Sequence, residues 1–172
     1  MKIVLLLLSL MSTALAHAQS IQPPALSARS WLLIDHASGQ SLVEHEADAR
    51  VEPASLTKLM TAYLTFAALK QGTLKLDQAV TVSERAWKAP GSRMFIDPKH
   101  PVTVGELIQG MIIQSGNDAC IALAEAIAGS EEAFAQRMNL EARRLGLANT
   151  HYVNATGLPD PQHYSTARDL AR

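Results

Sequence analysis

A single β-hairpin stands ahead of a chain that is otherwise helical in pattern, and this imbalance limits the fold more than any other feature. Ser30-Trp31-Leu32-Leu33-Ile34-Asp35 reads as a strand, His36-Ala37-Ser38-Gly39-Gln40 as a turn, and Ser41-Leu42-Val43-Glu44-His45 as the returning strand. A lone hairpin is marginal in water, so this one needs a sheet to join. Only Ala79-Val80-Thr81-Val82 offers a further strand pattern. Elsewhere helical spacing dominates. Leu56, Leu59, Met60, Tyr63, Leu64 and Ala67 recur at that spacing after Pro53 and run to a stop at Gly72. Thr103-Val104-Gly105-Glu106 is a capping box that opens a helix through about Ile113. A second helix is expected from Asp118 to Ala128, stopped by Gly129, and a third opens at Ser130 with Glu131 and Glu132 and closes at Gly146. Ser165 or Thr166 caps a last helix that is still running at Arg172, which predicts a segment of a longer domain.

Of the 172 residues, 48% are hydrophobic and 18% charged, with a net charge of −1, so one domain is expected, without a basic stripe for nucleic acid or an acidic tail. Lys2, the apolar run Ile3 to Met11 and the A-x-A site Ala16-His17-Ala18 form a secretory signal peptide over residues 1–18. Residues 19–172 are then the mature part, starting with an extended stretch to Ser27 that contains Pro23-Pro24. No later run reaches the roughly 18 apolar residues of a membrane-spanning helix, so an exported, soluble product is expected. The lone Cys120, between Ala119 and Ile121, reads as a small buried hydrophobe. The six histidines are scattered without ligand spacing, so neither a metal nor another cofactor is expected.

Two short motifs carry chemistry. In Ser55-Leu56-Thr57-Lys58 the lysine lies one helical turn after the serine, on the same face. Serine needs a base within hydrogen-bond reach to act as a nucleophile. A helix start would supply a backbone N–H for an oxyanion, and burial among Leu56, Leu59 and Met60 would lower the lysine's basicity into a useful range. By itself, S-x-x-K is common, and a lysine snorkelling off an apolar helix face explains Lys58 as well. Ser115-Gly116-Asn117 joins two helices and sets a hydroxyl beside an amide. The hydroxyl can relay a proton between the lysine and a leaving amine, and the amide can hold the lysine and a substrate carbonyl. An ordinary connection in which Asn117 caps the next helix fits that spacing equally.

Together the motifs are a signature of serine enzymes acting on penicillin-like and D-Ala-D-Ala-like acyl groups. Their surroundings narrow the match: Pro53-Ala54-Ser55-Leu56-Thr57-Lys58-Leu59-Met60-Thr61, Gln114-Ser115-Gly116-Asn117-Asp118-Ala119-Cys120, Gly157-Leu158-Pro159-Asp160 and His163-Tyr164-Ser165-Thr166-Ala167-Arg168-Asp169. From about Trp31 to Arg172 the chain resembles the low-molecular-mass penicillin-binding proteins, and among them the D-alanyl-D-alanine carboxypeptidases of Gram-negative bacteria. The resemblance implies an α+β fold of the β-lactamase/transpeptidase type, with a helical region and an antiparallel sheet, ending before the later strands. It makes Ser55 the acylated nucleophile, Lys58 the proton acceptor, and Ser115 with Asn117 the second wall of the site. None of the six lysines precedes Thr-Gly or Ser-Gly, so the family's K-T-G motif, which binds the substrate carboxylate, has no counterpart here.

The implied reaction removes the terminal D-alanine of a peptidoglycan stem pentapeptide through an acyl-enzyme in the periplasm, with β-lactams acylating the same serine. Membrane association would come only from a C-terminal anchor that this sequence lacks. The alternatives are a D,D-endopeptidase of the same fold, a class A β-lactamase, and a non-catalytic penicillin-binding remnant without K-T-G. Class A enzymes use S-D-N and a downstream glutamate, and Asn154-Ala155-Thr156-Gly157-Leu158-Pro159 contains none. Without K-T-G the 172-residue chain alone is expected to be inactive. Met60, Phe66, Met111 and Phe134 read as core, and Ser92 as a loop serine that the resemblance puts near the rim of the site.

Overall fold

The computed structural model describes residues 23–172; the signal-peptide reading lies outside them. Strands β1 (Trp31–Ile34) and β2 (Ser41–His45) pair antiparallel as the sequence indicates, with Gly39 at φ 71° in the turn between them. Then follow a 3-10 turn (Ala54–Thr57), α1 (Lys58–Lys70), β3 (Ala79–Val80), α2 (Glu84–Trp87), β4 (Val102–Thr103), α3 (Val104–Gln114), α4 (Asn117–Ala128), α5 (Glu131–Arg144) and α6 (Ala167–Leu170).

The helix boundaries follow local chemistry. Thr103 and Glu106 form the capping box of α3, Ser130 caps α5, and Thr166 rather than Ser165 caps α6. Helix α4 ends at Gly129, whose φ of 83° suits a residue without a Cβ. Its first residues, Asn117-Asp118-Ala119-Cys120-Ile121-Ala122-Leu123-Ala124, are all buried. The alanines among them let α1, α3 and α5 pack closely around it, since the separation of two helices follows the size of the side chains between them. Leu107, Leu123, Phe134 and Met138 fill the core beside them.

Two expectations change. Among the described residues the hairpin joins no third strand; the only other ladder is the short pairing of β3 with β4. The segment around α6 holds the hairpin region instead: Ser165 bridges Val51, the Arg168 N–H donates to Ala47 O, and the Arg168 guanidinium pairs with Glu44 and Asp48. Phe66 is exposed, whereas Met60, Met111 and Phe134 are core. On α1 the faces are inverted relative to hydropathy. Thr57, Lys58, Thr61 and Thr65 are buried, while Leu56, Leu59, Tyr63 and Phe66 form a stripe 44–59% exposed. The buried threonines are tolerated because each hydroxyl has a partner: His163, Ala155 O and Thr61 O respectively. No helix among the described residues is long and apolar enough to cross a membrane.

Candidate active site

Ser55 sits in the 3-10 turn that leads into α1, exposed at the surface. Lys58 Nζ lies 3.3 Å from Ser55 Oγ, and the Ser115 hydroxyl donates to Ser55 Oγ at 3.1 Å across 60 residues of sequence. The three side chains from the two motifs therefore meet at one oxygen. Ser115 reaches it because it ends α3 in the left-handed conformation, φ 55°, which turns the chain sharply before Gly116.

Lys58 is only 7% exposed, so it is no snorkelling surface lysine. Its burial has a different source from the one the sequence suggests, because Leu56 and Leu59 face outward. The cover is tertiary: Nζ donates to Thr156 O at 2.7 Å and lies near Cys120. Among the described residues no carboxylate pairs with it. Burial lowers its pKa from the ordinary lysine value; the Cys120 thiol is a weak opposing influence, and that thiol is itself pushed up to about 12 by burial and stays neutral. A desolvated, unpaired amine beside a serine hydroxyl is equipped to take its proton.

Asn117 does not make the expected hydrogen bond to Lys58. It opens α4 behind Gly116, its amide donates to Pro90 O at 2.8 Å, and its backbone N–H donates to Ser92 O at 2.7 Å. It fastens the 90–92 loop, and Lys58 is held by Thr156 O rather than by this amide. The Ser92 hydroxyl donates to Gln114 O, one residue before Ser115, which puts Ser92 at the rim.

Sequence reasoning passed over three supports. The first is Asp118, fully buried, whose carboxylate accepts the backbone N–H groups of Met94, Phe95, Ile96 and Ala119. An acidic residue in the first turn of a helix was the available signal, but three of its four partners lie over twenty residues upstream. Asp118→Ala strands these donors and is expected to cost about 3 kcal/mol, read as a lower midpoint in chemical denaturation. The second is Asn154, whose Oδ1 accepts from Thr156 N, Thr156 Oγ1 and Gly157 N and so shapes the loop that presents Thr156 O. The third is Gly157, at φ 85°, where a Cβ would lie 1.8 Å from Ala54 O. Gly157→Ala is thus expected to push the loop off the Ser55 turn and to destabilise the fold by at least about 2 kcal/mol, measured by thermal unfolding.

Two open clefts, of about 780 and 460 Å³, flank this region, yet neither is lined by Ser55, Lys58 or Ser115. The serine stands instead beside the bare stripe of α1, with one wall of a site built and no opposing wall among the described residues.

A helical region carrying a serine–lysine pair and a second serine from a helix–helix turn defines the penicillin-binding, transpeptidase-type fold, and comparison with known proteins agrees. The structure superimposes on penicillin-binding protein 5 from Haemophilus influenzae with a TM-score of 0.85 at 43% identity, covering 88% of this chain and 45% of that one. The D-alanyl-D-alanine carboxypeptidase DacD from Francisella tularensis gives a TM-score of 0.83 at 42% identity over 88% of this chain and 37% of that one. In sequence the chain is 48% identical to the D-alanyl-D-alanine carboxypeptidase DacC of Escherichia coli over 165 residues, 92% of this chain and 41% of that protein. The family model for D-alanyl-D-alanine carboxypeptidases (Peptidase_S11) matches residues 17–172. The chain belongs to that family. It spans less than half the length of several of these relatives, 41% of DacC and 38% of the Bacillus subtilis DacF.

Proposed function

We propose that this chain carries the nucleophile side of a serine D-Ala-D-Ala carboxypeptidase site, with Ser55 as nucleophile, Lys58 as base and Ser115 as proton relay. The observation that supports it best is the convergence of Lys58 Nζ and Ser115 Oγ on Ser55 Oγ, at 3.3 and 3.1 Å. Ser55 Oγ attacks the carbonyl carbon of the penultimate D-alanine and gives its proton to neutral Lys58. The C–N bond then breaks: Ser115 donates its proton to the departing amine of D-alanine and recovers one from Lys58. Water hydrolyses the ester, leaving a shortened stem peptide and free Ser55. A β-lactam stops at the ester, because its amine stays tethered. Asn117 acts at one remove, by holding the 90–92 loop against the Ser115 turn.

The chain holds no candidate for the lysine that receives the substrate's terminal carboxylate, since no K-T-G occurs in it. The test therefore supplies that half. In a chimera, residues 23–172 replace the matching segment of Escherichia coli DacC. Labelled penicillin should then form one covalent adduct, which peptide mapping places on Ser55. A folded chimera that is never acylated, or is acylated elsewhere, would overturn the assignment. The N-terminal pattern of Lys2, Ile3 to Met11 and Ala16-His17-Ala18 supports export and work in the periplasm on peptidoglycan. Cleavage after Ala18 in a Gram-negative host, read by N-terminal sequencing, tests that.

A further inference from the structure

The ring of His163 is buried, and its two hydrogen bonds make opposite demands on its nitrogens. Nδ1 accepts the Val153 backbone N–H at 3.2 Å, so it holds a lone pair and no proton. Nε2, 2.8 Å from Thr57 Oγ1, then carries the ring's hydrogen and donates it. The neutral Nε2–H tautomer satisfies both bonds, and the imidazolium does not, because its Nδ1–H would face another donor. Thr57 stands between Ser55 and Lys58 in the chain, while Val153 leads into the loop whose Thr156 carbonyl holds Lys58. The ring thus bridges the turn bearing the nucleophile and base to the loop that anchors the base.

We infer that neutral His163 is a positioning residue for Lys58: it ties the Val153–Thr156 loop to the Ser55 turn, and protonation of Nδ1 releases that tie. It touches no reacting atom and acts through Thr57 and the Thr156 carbonyl. The inference rests on the reading of Lys58 as the base.

Burial holds the ring's pKa below the ordinary histidine value, against Asp160, which favours the charged form; His151 disfavours it. The Tyr152 ring packs edge-on at 5.6 Å between centroids, Lys58 adjoins Thr57 on the α1 side, and Arg29, Arg50 and Glu52 border the adjoining cleft. The sign follows from the lowered folded value. The contribution of the tie to stability is full above about pH 6.5 and is lost as the pH falls from there through the value in the folded chain.

The test is histidine and lysine side-chain NMR on the full 172-residue chain between about pH 8 and pH 4, with amide exchange followed at Val153. The expected result is an Nε2–H ring at neutral pH and one titration step below the ordinary value. Val153 protection should fall by up to about tenfold per pH unit between about pH 6.5 and that step and level off below it. The Lys58 ε resonances and the Thr156 carbonyl carbon should move in the same step. His163→Gln offers an acceptor and a donor that do not titrate, so it should keep Val153 protected and leave the Lys58 signals still across that range. A His163 step at the ordinary value, an unprotected Val153 amide, or Lys58 and Thr156 signals indifferent to the step would each overturn the proposal. Penicillin labelling is a separate measurement. A chimera with no adduct at Ser55, beside an intact coupled titration, would discard the enzyme reading and leave the tie standing.

Discussion

Ser55→Ala in the DacC chimera should abolish covalent penicillin labelling completely while leaving the thermal midpoint close to that of the parent. Both halves follow from position. Ser55 is exposed, in a turn ahead of α1, and its hydroxyl receives hydrogen bonds from Lys58 and Ser115. Removing one exposed hydroxyl costs little stability, the more so because Lys58 keeps Thr156 O as a partner. The oxygen that forms the ester is nevertheless gone, and no neighbour can replace it. Among the described residues Ser115 is the only hydroxyl hydrogen-bonded to Ser55, and it sits 3.1 Å away as a donor. Gel fluorescence of the labelled protein reads the result. Labelling of the alanine variant at the parental level would place the nucleophile elsewhere.

What the sequence made legible was whatever depends on neighbours in the chain. Helix ends followed from caps such as Thr103 and Ser130 and from glycines such as Gly129, whose effects reach a few residues. The Ser55–Lys58 pair followed from the same local geometry. The meeting of Ser55 with Ser115 was not deducible from spacing at all; it was implied only by the resemblance of the extended motifs. Hydropathy misread α1, since it assigns Leu59 and Phe66 to the core and Thr61 and Thr65 to solvent, and the fold does the reverse. Threonines can be buried when backbone carbonyls such as Ala155 O lie in reach, and those carbonyls come from a loop about ninety residues on. For the same reason Thr156 was invisible. It acts through its main-chain oxygen, which every residue possesses, so no side-chain pattern could single it out. Asn117 was legible as a member of the turn, but its direction was set by Pro90 O, a contact 27 residues away.

Lys58→Arg is expected to lower the acylation rate of the chimera by about 10² to 10⁴, although it preserves the positive charge. The reason lies in what each side chain can give up. Burial disfavours the charged form of Lys58, no carboxylate among the described residues restores it, and the nearby Cys120 thiol is neutral. The free amine is therefore more accessible for Lys58 than for an ordinary lysine, and it is placed 3.3 Å from the hydroxyl it must deprotonate. Arginine stays protonated throughout the accessible range and can only donate. It also brings a planar fork to a space shaped for one ammonium against Thr156 O, so some loss of packing is expected in the thermal midpoint. The pH profile separates the two effects. In the parent, the acylation rate should climb with pH and level off below the ordinary lysine value of about 10.4, because deprotonation makes the base. In the arginine variant the residual rate should show no such step. If stopped-flow labelling found most of the rate retained with the same profile, Lys58 would be an electrostatic or structural group. The proton of Ser55 would then have to leave by another route, for which Ser115, hydrogen-bonded to the same oxygen, is the remaining neighbour.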